Sequence, residues 1–381
     1  MKAGWKVRQI EDVAFIQEGP GIRTYEYQED GFPMINVRCV QDGFLDMSNA
    51  RAANMELALG KWRHFQVEEG DILFTTSGTI GRCAIAQACD LPLLMNTSVV
   101  RFRPTEPTLD ARFLYLFLQS EKFQAPLKAL SSGTAIRNVG PTHIKTLSIS
   151  LPPLEEQHQI VAVLDAVFEG LARTRAHAEA NLRDARELFD NVLSNAFSRA
   201  GWPVSFLHEI SENLDRVRVP ITKGDRVAGS IPYYGASGVV DQVEGYLFDE
   251  DLLLVSEDGA NLLARSYPIA FSISGKSWVN NHAHVLRFPD FETQEFVRRY
   301  LNSISLEPYV SGMAQPKLNQ AQLNRIPIPF PSAAERAKLV AMAQMISAET
   351  VDLEQRYRAS IADLDALRQS LLQKAFAGEL T

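Results

Sequence analysis

Few side chains in this sequence stand at the spacing that catalysis requires. A phosphate-cradling loop opens on glycine and ends in Gly-Lys-Ser/Thr ahead of a helix. The run AFSISGKS ends in Gly275-Lys276-Ser277 but opens on Ala270 and lies between two strand-like runs, so it reads as a polar hairpin turn. Leu151-Pro152-Pro153-Leu154 has neither the polar residue before the prolines nor the aromatic after them that catalytic methyl transfer to an amino group needs, and no glycine-rich cofactor loop precedes it. Pro289-Asp290 with Glu292 and Gln294 lacks the lysine that would complete a nuclease metal site. His282 and His284 have no cysteine or acidic residue at ligand spacing, and read as strand-end histidines with ordinary hydrogen bonds. Cys39, Cys83 and Cys89 form no CxxC or Cys/His pattern, which argues for reduced thiols in a cytoplasm and against structural zinc. No catalytic residue, metal site or resident cofactor is expected.

What the sequence does offer is polar, glycine-containing loops. In the N-terminal part these are GPGIRTYEY (Arg23, Tyr25, Tyr27), TTSGTIGR (Thr76, Ser77, Thr79, Arg82) and SSGTAIRN (Thr134, Arg137, Asn138). In the C-terminal part they are DRVRVPITKGDR (Arg216, Arg218, Lys223), PYYGASG (Tyr233, Tyr234, Ser237), EDGANLLAR (Asn261), GKSWVNNHAH (Lys276, Asn281) and GMAQPKLN (Gln315, Lys317). Lys and Arg hold phosphates, whereas Arg, Asn and Gln read base edges through paired hydrogen bonds, so loops of this composition suit double-stranded DNA.

The elements that must position these loops are repeated. WKVRQIEDV from Trp5 matches WPVSFLHEI from Trp202. GDILFTTSGT matches EDLLLVSEDG, pairing Asp71 with Asp251, and VVRFRP matches VLRFPD, pairing Arg101 with Arg287. The separation varies over these stretches and then settles at 179 from Ser132/Ser311 through Phe197/Phe376. Loop-rich domains absorb insertions, whereas one extra residue in a packed helix turns its apolar stripe by about 100°. The chain therefore reads as variable domain, rigid helix, variable domain, rigid helix, with segments 1–153, 154–200, 201–331 and 332–381. Heptads support the helices: Leu164, Leu171 and Leu188 in the first, Ile346, Leu353 and Leu367 in the second, with the polar Asn181 and Ser360 at matching positions that could set register. Ser332 and Glu335 form a capping box after Pro331, and Gly201 and Gly378 are stops. About 40 residues give a rod of roughly 60 Å. The fold expected is α/β: two globular domains of mixed sheet with one short helix each, joined by two long helices packed as an antiparallel coiled coil.

At 381 residues, with 46% hydrophobic and 22% charged residues, the composition is that of an ordinary folded chain, and no apolar run suggests a membrane span. The net charge of -8 excludes a uniformly basic nucleic-acid coat. The first globular segment is charge-balanced and the second acidic, so DNA affinity of the isolated chain should be weak and salt-sensitive.

IPYYGASGVV, YLFDEDLLLVSEDGANLLAR and GKSWVNNHAHVLRF together resemble the target recognition domain of type I restriction-modification specificity subunits. LPPLEEQHQIVAVLD and LRQSLLQKAFAGEL are similar to that family's central and C-terminal conserved regions, and with both domains and both helices present the chain looks untruncated. The resemblance implies a non-catalytic subunit in which each domain reads one half of a bipartite, asymmetric DNA target while the helix pair fixes the gap. It also implies two DNA methyltransferase (modification) subunits docked along the helices, and restriction/translocase subunits. S-adenosylmethionine and ATP would belong to those partners.

Overall fold

The computed structural model describes residues 2, 4–131, 139–197, 201–312 and 315–380. The chain divides into two compact units, Met1–Ala178 with Ala359–Thr381, and Glu179–Arg358. Each long helix, Leu154–Phe197 and Ala333–Ala377, contributes part of its length to each unit.

In the first unit β1 (Lys6–Gln9), β2 (Ala14–Glu18), β3 (Tyr27–Ile35), β4 (Arg51–Ala53), β5 (Ile72–Thr75), β6 (Cys83–Ile85), β7 (Leu94–Met95), β8 (Val99–Pro104) and β9 (Ser148–Leu151) build two sheets and a ribbon. The main sheet is antiparallel in the order β2-β8-β5-β6, the second is β4-β3-β7, with β3 and β7 parallel, and β1 pairs with β9. One face of the main sheet packs on helices Ala111–Gln119 and Glu121–Ser131. Asp110 starts the first of these by accepting from Phe113 N at 2.8 Å. Two helices thus stand where the sequence suggested one. Phe376, at the end of the second long helix, lies edge-on to Phe113 and Phe117 at 5.2 and 5.3 Å. Burying such a ring contributes about 2–3 kcal/mol.

The second unit repeats the plan with β10 (Val204–Ser205), β11 (Glu212–Asn213), β12 (Ala228–Gly235), β13 (Gly238–Val243), β14 (Phe248–Asp249), β15 (Leu252–Ser256), β16 (Ala270–Ile273), β17 (Lys276–Val279), β18 (Ala283–Arg287) and β19 (Ile328–Pro329). Its main sheet is β11-β18-β15-β16, its second β13-β12-β17-β14 with β12 and β17 parallel, and β10 pairs with β19. The helix Phe291–Ser303 covers the main sheet together with Val340 and Ala343 of the second long helix. Its N-cap is Asp290, which accepts from Thr293 N at 2.7 Å.

Strand pairing corrects the repeat alignment. Ile72 lies opposite Phe102 and faces the helices; its counterpart is Leu253, opposite Leu286 and facing the same way. Arg103, not Arg101, is then the counterpart of Arg287, and Gly78 that of Gly259, both with positive φ. The Gly275 turn is likewise no hairpin, because β16 and β17 belong to different sheets.

The helix stripe is also corrected. The less exposed positions run 164, 171, 178, 185 and 161, 168, 175, 182, 189 in the first helix, and 343, 350, 357, 364, 371 and 340, 347, 354, 361, 368, 375 in the second. Leu164 is fully buried and Leu171 and Ile346 partly so, but Leu188, Leu353 and Leu367 are 64%, 38% and 47% exposed, and Asn181 and Ser360 face solvent. Half of the expected seam is therefore one residue out of phase, identically in both helices. Where Val167 precedes Phe168 and Leu188 precedes Phe189, periodicity cannot choose between neighbours. Packing chooses the phenylalanines, which join the cores of their own units. Within the first unit the segments run antiparallel: Ile160 and Leu372 share its core, and farther along Arg175 pairs with Asp365. Ser332 and Glu335 form the expected capping box, with Glu335 N donating to Ser332 Oγ at 3.4 Å and Ser332 N to Glu335 Oε2 at 3.1 Å.

Candidate nucleic-acid interface

In each unit a crown of loops gathers where the parallel strand pair ends. In the second unit Asn280 follows β17, donates its N–H to Tyr234 O at 3.0 Å, and accepts His282 N on its side chain at 2.8 Å. In the first, Asn96 follows β7, donates to Ile35 O at 3.1 Å, and accepts Ser98 N at 3.0 Å. These Asx turns are the same device built from different neighbours. The next tie is shared too: Thr76 N donates to Ser98 O and Glu257 N to His282 O, while Val139 N donates to Thr76 O and Leu318 N to Glu257 O.

The side chains beneath the crowns differ. Counting along the paired strands, Glu18, Thr76 and Val100 occupy in the first unit the places of Asp215, Glu257 and His284 in the second. There His284 Nδ1 lies 2.6 Å from Asp215 Oδ2 and its Nε2 2.8 Å from Leu318 O. Arg218 Nη1 lies 2.7 Å from Glu257 Oε2, and Lys317 Nζ 3.2 Å from Glu257 Oε1. Burial pushes the Asp215 carboxyl up, but the His284 hydrogen bond and charge, Val285 N–H and Arg218 outweigh it and leave it below the usual carboxylate range. Glu257 behaves alike: burial raises it, and Arg218, His284 and Lys317 prevail. The ligand-type atoms of Asp215, Glu257 and His284 lie within 4.8 Å of one another, but both carboxylates are engaged by side-chain cations, so the donor set serves as an internal ion network. In the first unit burial alone raises the Glu18 carboxyl.

Several expected DNA-contacting residues are thereby reassigned. Tyr233 is 1% exposed, and its hydroxyl accepts from Ile221 N at 2.9 Å. Thr76 is buried, and Asn261 is buried with its amide bonded to Tyr267 O and N. Arg218 holds the ion network. Tyr27 is half-buried beneath Arg51, and Tyr234 packs beside the second-sheet core. Each such residue satisfies its own fold, because a polar atom removed from water needs an internal partner.

The structure brings Ser237, Asn281, Gln315 and Lys317, all exposed, to the crown of the second unit. Ser256 Oγ donates to Ala236 O at 2.5 Å, His282 Nδ1 meets Asp258 at 2.8 Å, and Gly259 N donates to Pro316 O at 3.0 Å, tying their loops together. Arg216, also exposed, flanks Arg218. In the first unit the crown carries Ser77 and Thr79 with Arg82 behind them; Thr134, Arg137 and Asn138 lie outside the described residues. Gly81 is favoured there because φ is +103°, a conformation that side-chain-bearing residues rarely adopt. A second zone lies at the opposite end of the strands. Arg23 and Tyr25, joined at 3.2 Å, precede β3. Lys223 precedes β12, and Lys276 sits 4.7 Å over the Tyr246 ring at the start of β17.

Asn36 and Arg38 in the first crown were missed. The usable signal was the pair Asn96-x-Ser98 and Asn280-x-His282, which aligns without gaps to Arg103 and Arg287. No disulfide joins the cysteines; Cys83 is buried, and burial pushes its thiol up to about 12, which removes it as a nucleophile. No helix among the described residues is long and apolar enough to cross a membrane.

Known proteins share this plan. A protein of Haemophilus influenzae named as a type I restriction enzyme specificity subunit is 35% identical over 144 residues, 38% of this chain and 37% of its own length. The EcoBI specificity subunit of Escherichia coli is 28% identical over 169 residues, 44% of this chain and 35% of its own. The chain thus matches little more than a third of the length of either relative. Among solved structures, a chain from work on complex assembly and conformational transition of the type I R-M system matches with a TM-score of 0.75 at 19% identity, over 100% of this chain and 99% of that one. The HsdS subunit of Thermoanaerobacter tengcongensis matches at 0.54 and 19%, over 100% and 98%. These two likenesses carry the fold. The family model described as the type I restriction modification DNA specificity domain matches residues 2–180 and again 200–362, and the chain belongs to that family.

Proposed function

We propose that the chain supplies sequence specificity to a type I restriction-modification complex and carries no catalytic step itself. Residues 1–153 and 201–331 each read one half of a bipartite, asymmetric target in double-stranded DNA. Segments 154–200 and 332–381 set the gap between the halves and dock two DNA methyltransferase subunits, which the restriction/translocase subunits join. The observation that carries this reading is the pair of crowns, in which one backbone scaffold presents different side chains. Two like crowns would read a palindrome, whereas Ser77 and Thr79 in one and Asn281 and Gln315 in the other read unlike half-sites. Binding two half-sites from one stiff support multiplies affinity only at the matching separation. Outward apolar residues on the long helices, among them Val163, Leu188, Met345 and Val351, offer the methyltransferase subunits a surface.

The test is to express the chain with a modification partner and sequence the methylated motifs. Exchanging residues 201–331 for those of another family member should change one half of the motif and preserve the other; a change in both halves would refute modular reading. Inserting about four residues, one turn, into both long helices should lengthen the tolerated gap and leave the half-sites unchanged.

A further inference from the structure

The second unit holds a hollow of about 870 Å³ between the C-terminal half of the helix Phe291–Ser303 and the segment Leu262–Ile269, lined in part by Phe189 and Ser347 of the long helices. Arg265, Arg298 and Arg299 line it against a single acidic residue, Glu307, in a chain of net charge -8. The three arginines are not equivalent. Arg298 grips Glu295 with two hydrogen bonds of 2.7 Å, and Ser272 Oγ donates to the same carboxylate at 2.7 Å. Arg299 Nε is left 3.9 Å from Glu295, beyond hydrogen-bond reach. Arg299 is 9% exposed, and its buried Nε has no acceptor among the described residues. Arg265 stands at φ +54°, a conformation unfavourable for a side-chain-bearing residue, and its Nη2 donates to Leu301 O, Asn302 O and Ile304 O at the end of the helix; its Nη1 has no acceptor.

A guanidinium carries five donors and stays charged, so burying one without acceptors costs several kcal/mol. Burial indeed lowers the guanidinium pKa of both Arg265 and Arg299. The internal carboxylate within reach is already engaged by Arg298, which leaves the Arg299 fork free to take an oxyanion. Phe189, Leu263 and Tyr267 supply apolar wall, and the volume lies in the range of small-molecule sites.

We propose that this hollow is a binding site for a small oxyanion with an apolar body, a carboxylate or a phosphate monoester, gripped by the Arg299 fork with Arg265 beside it. The hollow shares none of its lining residues with the crown, and the proposal does not depend on the DNA-reading role.

The full-length chain, at fixed ionic strength in chloride, should be titrated calorimetrically with benzoate, phenyl phosphate, inorganic phosphate and the neutral control benzyl alcohol. Saturable binding of benzoate or phenyl phosphate, with none for the alcohol, is expected, and the stronger of the two identifies the head group. Inorganic phosphate should bind more weakly for want of the apolar body. Arg299→Gln should weaken binding by about tenfold or more, and Arg299→Lys, which keeps the charge but loses the fork, by less. Circular dichroism monitors folding; if the glutamine variant unfolds, the lysine variant and Tyr267→Ala carry the test. No saturation by about 10 mM of either aromatic anion, or equal affinity in folded wild-type and Arg299 variants, would overturn the proposal.

Discussion

The two crowns share backbone ties and differ in what lies beneath them. In the first unit the places under the loops hold Thr76, Val100 and Glu18; in the second they hold Glu257, His284 and Asp215, bound to Arg218 and Lys317. A repeated unit can exchange its buried polar chemistry, and with it the residues left for a ligand, if the ties that fix the loops run through main chain and one Asx side chain. Lys317 illustrates this: it projects from a crown loop, yet its ammonium is held by Glu257.

The largest effect should come from breaking the ion network. Asp215→Ala leaves His284 and Arg218 short of a counter-charge in a buried site, which should destabilise the second unit by about 3–5 kcal/mol. Hydrogen exchange should show the loss over residues 201–331 and leave 4–131 protected. Val100→Ala, at the counterpart of His284, is a volume loss only and should cost about 1–2 kcal/mol in the first unit. Equal destabilisation by the two would erase the contrast.

The helix phase gives the next largest effect. Phe168→Ala should lower stability by about 2–3 kcal/mol and Val167→Ala by about 0.5 kcal/mol or less, read from denaturant midpoints. The reverse order would restore the seam expected from heptads.

Acid should separate the units through Asp215 and Glu18. Asp215 and Glu257 sit below their ordinary values when folded, so their contribution is present above the unfolded carboxylate pKa and fades as pH falls through the folded values. Glu18 is raised: its folded form takes up a proton more readily, so acidification favours the fold at that position. Exchange rates followed from pH 7 to about pH 3 should rise in the second unit first, and Glu18→Gln should stabilise the first unit at neutral pH. Loss of both units at one pH would contradict this.

The smallest effect should follow from the Asx turns. Asn96→Ala and Asn280→Ala each remove the turn-closing hydrogen bond, about 1 kcal/mol, and Asn96→Ala also deprives Ser98 Oγ of its acceptor. Each should loosen recognition at its own half-site, and a shared effect on both halves of a methylated motif would show that the crowns do not act separately.

Repeat structure, helix extent and family were legible because they rest on local signals: the paired motifs, the constant separation of 179 and the Ser332/Glu335 cap all lie in adjacent residues. Helix phase was half legible, since one line of positions is apolar without ambiguity and the other offers neighbouring apolar residues. The candidate site was least legible. Tyr233, Asn261 and Arg218 have the composition of DNA-reading residues, yet each is claimed by an internal partner, from Tyr267, six residues from Asn261, to Glu257, 39 residues from Arg218. Arg38 enters the crown only because β3 ends beside β7.

The sequence by itself determined that two unlike copies of one domain alternate with two long helices, because periodicity and duplication are properties of the chain as written. Tertiary structure alone decided which side of each helix turns inward, which polar residues face water, and that arginines from two segments border one hollow. Those outcomes depend on competition for space and for hydrogen-bond partners between residues that meet only once the chain has folded.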